Sequence, residues 1–389
     1  LEWFQKPAAI RIQGQHDRTY VSWLQRNGGV MIRALDNTTK QWGDPVEVTN
    51  LTPKFGANGH DDHNAPSLLG LPDGRILLFS PVHDVPNALQ VFTTTNPEDI
   101  SQWSPGRAVI PEVTDELSYP QAKLLRDGTI LLFLRQGNWR YADEILTTSK
   151  DYGQTWSDPQ TLVHSGVDIG TYAFVTEHDD ALFMTWNIRL NKGRPSGLYY
   201  AESHDAGKTW QTSSGNTLSL PMTQETAEKI LDQTEAVYGW DIVVDADDEP
   251  RIAMMRDNDP PKYAVAVRAD QHWSVTNIAE TRELFDDSTH SHFYSSGIVF
   301  NLNNADEVLL AAADKHFTLE RWRLGADGIW TRFDAIDPPQ HNDQFRPQFV
   351  ANDPNGSIIW VEGKYTGGIT GEWEGYTNVF LRFATPSRS

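Results

Sequence analysis

The chain has no cysteine among its 389 residues, so disulfides, thiolate nucleophiles and cysteine metal sites are all excluded. It also has no long hydrophobic run. Nothing approaches the roughly 18 apolar residues of a membrane-spanning helix, so no membrane partner is expected. Basic residues are scarce: 32 Lys and Arg stand against 53 Asp and Glu, a net charge of −21. Nucleic acid, which needs a basic footprint, is excluded as a partner. An anionic ligand would need a local basic cleft inside this negative field. Helical periodicity is scarce too, and only TQETAEKILDQTE (223–235) reads as a helix, inserted in a loop. The chain opens without Met or a visible leader and reads as a mature, secreted, monomeric protein. Sequons at Asn37, Asn50 and Asn355 agree with that expectation.

What the chain does have is a repeat. A short apolar strand, a tight turn and a second apolar strand recur along its length. APSLLGLPDGRILLFSP (65–81) and YPQAKLLRDGTILLFLR (119–135) are the clearest copies. Looser ones start near residues 8, 172, 240, 295 and 347, which makes seven. The Asp-Gly turns suit two-residue hairpins. Two copies are followed by near-identical endings, SKDYGQTW (149–156) and SHDAGKTW (203–210). Both read Ser-x-Asp-x-Gly-x-Thr-Trp, a folded turn in which Asp accepts backbone N–H groups, Gly takes positive φ and Trp packs between sheets. The motif is structural. Seven four-stranded repeats predict an all-β, seven-bladed β-propeller, a single domain over 1–389. Leu1–Gln5 and Asn378–Phe383 would share one blade and close the ring.

The hairpin geometry sorts the polar residues. Turns gather at one face of the disc, and strand starts and strand ends meet at the other. His63, at a start, should neighbour His83 at the matching end. Tyr119 pairs with Arg135 in the same way, Tyr172 with Arg189, and Tyr238 or Trp240 with Arg256. His292 falls with His316, and Arg346 lies in the last copy. One face therefore collects His, Tyr and Arg around the axis, which is the basic cleft an anionic substrate requires.

The segment GHDDHNAPSLLGLPDGRILLFSPVHD (59–84) poses the chemical question. Asp61, Asp62, His63 and Asn64 could ligate a metal or serve acid/base chemistry. Consecutive residues on an extended chain point apart, which disfavours one shared ion. Nothing matches zinc spacing. The metal status is open, and a structural Ca2+ near the axis is conceivable. No organic cofactor is expected. The set His63, His83, Tyr119, Arg135 and Arg189 suits β-elimination at a 4-linked uronate. Arg neutralises the carboxylate, one group takes the C5 proton and another protonates the departing O4.

These residues carry a resemblance. The two Ser-x-Asp-x-Gly-x-Thr-Trp endings resemble the Asp box of sialidase-like BNR propellers, and DDHNAPSLLGLPDGRILLF resembles the second blade of propeller polysaccharide lyases. Those include ulvan lyases and the lyases that cut L-rhamnose from α-1,4-linked D-glucuronate. The resemblance implies a cleft over the axis with His63, His83, Tyr119 and Arg135 as catalytic groups. Arg189, Tyr172, Trp240, Arg256, His292, His316 and Arg346 would bind substrate. It implies an anionic, uronate-containing plant or algal polysaccharide as partner. Among these lyases a compact chain with modest loops favours exo-acting cleavage of L-rhamnose-α-1,4-D-glucuronate over endo-acting ulvan cleavage, because a short polymer end suits a pocket. An α-L-rhamnosidase or other Asp-box glycoside hydrolase, and a non-enzymatic sugar-binding propeller, are the alternatives. A sialidase fits poorly, because Arg11-Ile12 is followed by Gln13 rather than Pro.

Overall fold

In a computed structural model, residues 6–138, 141–190, 195–257, 260–269, 272–282, 297–313, 316–336, 343–365 and 376–384 are described. They are almost entirely β. The helical segments among them are short: one turn at Thr52–Phe55, then 3-10 turns at Gly56–His60 and Asp62–Asn64. No helix among them is long and apolar enough to cross a membrane.

The expected helix at 223–235 is a correction. Glu228–Val244 is one long strand. Its first half pairs with the edge strand Pro195–Ser203, with Leu231 opposite Leu198 and Glu228 opposite Tyr200. That edge offers backbone partners, whereas a lone helix of this length is marginal in water.

The anticipated hairpins form. Ser67–Gly70 lies antiparallel to Ile76–Ser80, and Leu117–Leu124 to Ile130–Asn138. The turns are longer than the two residues expected. Leu71 N–H donates to Arg75 O across Pro72, Asp73 and Gly74, with Gly74 at φ +83°. A glycine in the left-handed region closes this three-residue turn. The runs ILLFS (76–80) and ILLFL (130–134) are buried throughout, because sheets cover both of their faces.

Among the described residues hydrogen bonding draws five sheets, not seven separate ones. Thirteen strands between Leu117 and Glu280 join into one sheet. Two contacts make the joins: a parallel pairing of Tyr141 with Ile169, and the Ser196–Ala236 pairing. The first and last units also meet. Ile10 bridges Ala351 in parallel, and Arg11 Nη1 lies 2.6 Å from Asp353 Oδ1. The strand expected at Leu1–Gln5 lies outside the described residues. Tyr376–Ala384 is the outer partner of Ile358–Tyr365.

The two Asp-box turns form as expected. Asp151 accepts N–H groups from Gln154 and Thr155 at 3.0 and 2.8 Å, and Asp205 accepts from Thr209 at 2.9 Å. Each turn packs on the preceding unit. A Cβ on Gly153 would meet Leu77 Cδ1 at 3.0 Å, and one on Gly207 would meet Leu146 Cδ2 at 2.5 Å. Trp156 and Trp210 stand edge-on to Phe79 and Phe133 of those same units.

One backbone irregularity positions the site. Between Ser118, opposite Arg135, and Gln121, opposite Phe133, the first strand carries one extra residue. Tyr119 sits in this bulge at φ +55°, just before Pro120. Phe345-Arg346-Pro347-Gln348 repeats the device, with Arg346 at φ +52°. A non-glycine residue in this region costs on the order of 1–3 kcal/mol. Bulges re-aim side chains, and both of these turn a polar one out of strand alternation.

Candidate active site

The cluster at 59–64 is a scaffold for two histidines. The Asp61 carboxylate bends back on its own loop, accepting the His63 backbone N–H at 3.0 Å and facing His63 Nδ1 at 2.6 Å. Its second oxygen lies 3.3 Å from His83 Nδ1. Asn64 is fully buried and accepts the His83 backbone N–H at 2.7 Å, while its own amide donates to Asn58 O at 2.6 Å. The hairpin thus delivers His83 beside His63, as the start-meets-end argument required. The two rings stack with centroids 4.4 Å apart and planes 16° off parallel. Burial alone would raise the Asp61 carboxyl, but the two imidazoles override it and hold it well below the usual carboxylate range.

Tyr119 faces this pair, its ring centroid 6.4 Å from His63 and 6.3 Å from His83. Tyr172 follows at 6.0 Å from Tyr119, and Tyr238 at 6.0 Å from Tyr172. Three successive units therefore contribute one buried tyrosine each to an arc. Arg135 lies against this arc. Its guanidinium carbon sits 5.3 Å from the Tyr119 ring centre and 4.9 Å from that of Tyr172. Arg135 is 2% exposed and makes no ion pair within 4.0 Å among the described residues. Burial opposes its charge, yet Tyr172, Tyr119, Glu116 and Glu144 together hold its pKa above the ordinary value. Burial would raise the Tyr172 phenol. Arg135 and Arg189 outweigh it, Arg189 also through a side-chain hydrogen bond, and the phenol is lowered.

Two buried carboxyls were missed by the sequence reading. Glu116 places Oε1 3.6 Å from His83 Nε2. Glu144 lies directly across the strand pair from Arg135. Burial pushes its carboxyl up to about 8, although Arg135 pulls the other way. No local motif marks either residue. Strand register alone would have found Glu144.

The remaining candidates have partners of their own. Trp240 is 1% exposed and lies next to Tyr238, with ring centroids 6.3 Å apart, so Tyr238 stands between it and the rest of the arc. Arg256 is held by Glu235 at 3.0 Å. His316 stands near Asp343, with Nδ1 to Oδ1 at 3.6 Å. Arg346 is 4% exposed, in the second bulge described above. His292 lies outside the described residues. Calcium would find little welcome at Asp241. Its carboxylate is bound by Lys6 Nζ at 3.0 Å and by the Phe300 N–H at 3.0 Å, and Lys123 is close enough to feel its charge. Two ammonium groups beside one carboxylate do not fit a divalent cation. Asp61, His63 and His83 bring one ligand atom each within 4.8 Å of the others, a set that could accept a divalent ion. Both Asp61 oxygens already face the imidazoles, which satisfies this cluster through hydrogen bonding.

An all-β repeat with a His–Tyr–Arg cluster, its tyrosines and Arg135 buried and its histidines half-buried, is the class that fold and site define. A family model described as a BNR repeat-containing family member matches residues 18–281, and the chain belongs to that family. An ulvan lyase of Alteromonas sp. (strain LOR) is 26% identical over 259 residues, covering 58% of this chain. The chain spans about half the length of that curated relative, 52%. Among solved structures, a PL25 ulvan lyase bound to -[GlcA(1-4)Rha3S]- superposes with a TM-score of 0.75 at 18% identity, covering 92% of this chain and 89% of its own. The polysaccharide lyase Uly1 superposes at 0.67 with 14% identity, over 98% and 90%. These likenesses establish a propeller-type fold.

Proposed function

We propose that the chain is a polysaccharide lyase that cleaves uronate-containing glycans by β-elimination. Arg135 carries this reading. A guanidinium that is 2% exposed, stacked on two tyrosines and lacking an ion pair among the described residues is suited to an incoming carboxylate. Pairing with the uronate carboxylate makes the C5 proton acidic. Arg189, hydrogen-bonded to Tyr172, adds a second positive charge on the same side. One group of the His63–His83–Tyr119 set takes the C5 proton. The C4–O4 bond breaks, the C4–C5 double bond forms, and a second group of the set protonates O4. The matched ulvan lyases support this class of substrate.

The bond we propose is L-rhamnose-α-1,4-D-glucuronate, met at a chain end or inside an ulvan-type polymer. A polymer of this kind places the enzyme outside the cell. We also read the five sheets as seven blades of one domain, since the thirteen-stranded sheet divides into three successive meanders. The test is incubation with rhamnose-capped glucuronate glycans and with ulvan. A lyase generates the ultraviolet absorbance of a conjugated unsaturated uronate, in step with new reducing ends. Reducing ends without that absorbance would make the chain a hydrolase. Neither signal on either glycan would remove the reading.

A further inference from the structure

The proton-transfer reading leaves open what decides which nitrogen of His63 handles the proton. An imidazole that donates from Nδ1 keeps a lone pair at Nε2, and the opposite tautomer reverses this. His63 Nδ1 lies 2.6 Å from Asp61 Oδ1. Asp61 is itself held: the same oxygen accepts the His63 backbone N–H, and the other faces His83 Nδ1 at 3.3 Å. The carboxylate is only 17% exposed, so water competes poorly for it. An anion at this distance can only accept. It therefore demands a proton on His63 Nδ1.

We propose that Asp61 is the positioning residue of the site, fixing His63 as the Nδ1–H tautomer so that proton exchange with substrate runs through Nε2. This rests on the lyase reading for its consequence, but not for its direct test. Stacking on His83 at 4.4 Å and a buried Asn64 at the next position leave the ring little freedom to flip. The groups that face His63 include Asp61 on its own loop, His83 from the facing strand and Tyr119 from the next unit, and Tyr172 is near enough to feel its charge. The Asp61 carboxylate lies within hydrogen-bond distance of the ring.

The readout is the 15N-detected tautomer of His63 in the intact chain, assigned through the variant His63→Gln. The wild type should show a protonated Nδ1 and an unprotonated Nε2 when the ring is neutral. In Asp61→Asn the amide can present either its oxygen or its NH2, so the Nε2–H form should appear. With a cleavable glycan, kcat of Asp61→Asn should fall about 10²-fold or more with KM nearly unchanged, because a wrongly tautomerised base binds substrate normally. Asp61→Glu should recover part of the loss. A wild-type His63 in the Nε2–H form, or a Nδ1 signal typical of a metal-bound imidazole, would overturn the proposal. So would an Asp61→Asn variant whose tautomer is unchanged. If the wild type shows the Nδ1–H tautomer but eliminates no uronate, the positioning role stands and the lyase reading fails.

Discussion

Replacing Glu144 with Gln gives the sharpest test of how the site is charged. Glu144 is buried across the sheet from Arg135, and its carboxyl is raised from 4.5 to about 8. A raised carboxyl means the folded chain holds a proton that the unfolded chain has released. Its contribution to stability is complete below about 4.5 and is lost as pH rises toward 8. Between pH 5 and pH 8 that loss amounts to about 3–4 kcal/mol. Gln is nearly isosteric and does not titrate. Urea unfolding of both proteins across this range should therefore show the wild type losing several kcal/mol relative to Glu144→Gln as pH rises. Other titrating groups cancel in the difference. A difference that stays flat with pH would show that Glu144 is ionised in the folded chain. Arg135 would then already have an internal counter-charge, and the case for an incoming anion would weaken.

Tyr119→Phe should keep the ring against Arg135 yet lower kcat by about 10²-fold or more with little change in KM, followed as single-turnover elimination; turnover within a few-fold of wild type would pass the proton-transfer role to the two histidines. Arg135→Lys keeps a charge but loses the planar fork that pairs with a carboxylate, so kcat/KM should fall severely while the fold persists by circular dichroism. Asp151→Ala and Asp205→Ala should each lower stability in urea unfolding by roughly 1–3 kcal/mol, with turnover at low temperature near normal. Dialysis against EDTA should leave elimination intact; loss that is restored by an added divalent ion would overturn the acid/base reading of Asp61, Asp62, His63 and Asn64.

The repeat was legible because each unit must bury one hairpin against the next. That requirement writes ILLFS and ILLFL into the chain and fixes which strand ends meet. His63 beside His83, and Tyr119 beside Arg135, followed from direction alone. The αL conformation of Tyr119 did not follow, since Tyr-Pro in a strand gives no sign that the extra residue bulges. Glu144 and Glu116 were hidden for a different reason. A carboxyl in an exposed-looking alternation reads as solvated until the neighbouring unit covers it. The stretch 223–235 looked helical, although its part from Glu228 onward is strand, because the partner edge is formed by a segment some thirty residues earlier.

Ile10 contacts Ala351, and beside it Arg11 binds Asp353, a residue 342 positions away. Closing a loop of that length costs about 5 kcal/mol in chain entropy beyond the cost of initiation. Nothing local offsets it until the intervening units are in place, so this junction is expected to form last. Until then two edges of the nascent molecule stay bare, Ala9–Gln13 and the stretch at Ala351 that follows the strand Asp343–Phe349. Those edges are complementary to each other, and equally to the edges of a second copy. At high concentration the step that completes one molecule competes with head-to-tail addition of the next, so refolding yield should fall with protein concentration well before any interior variant is made.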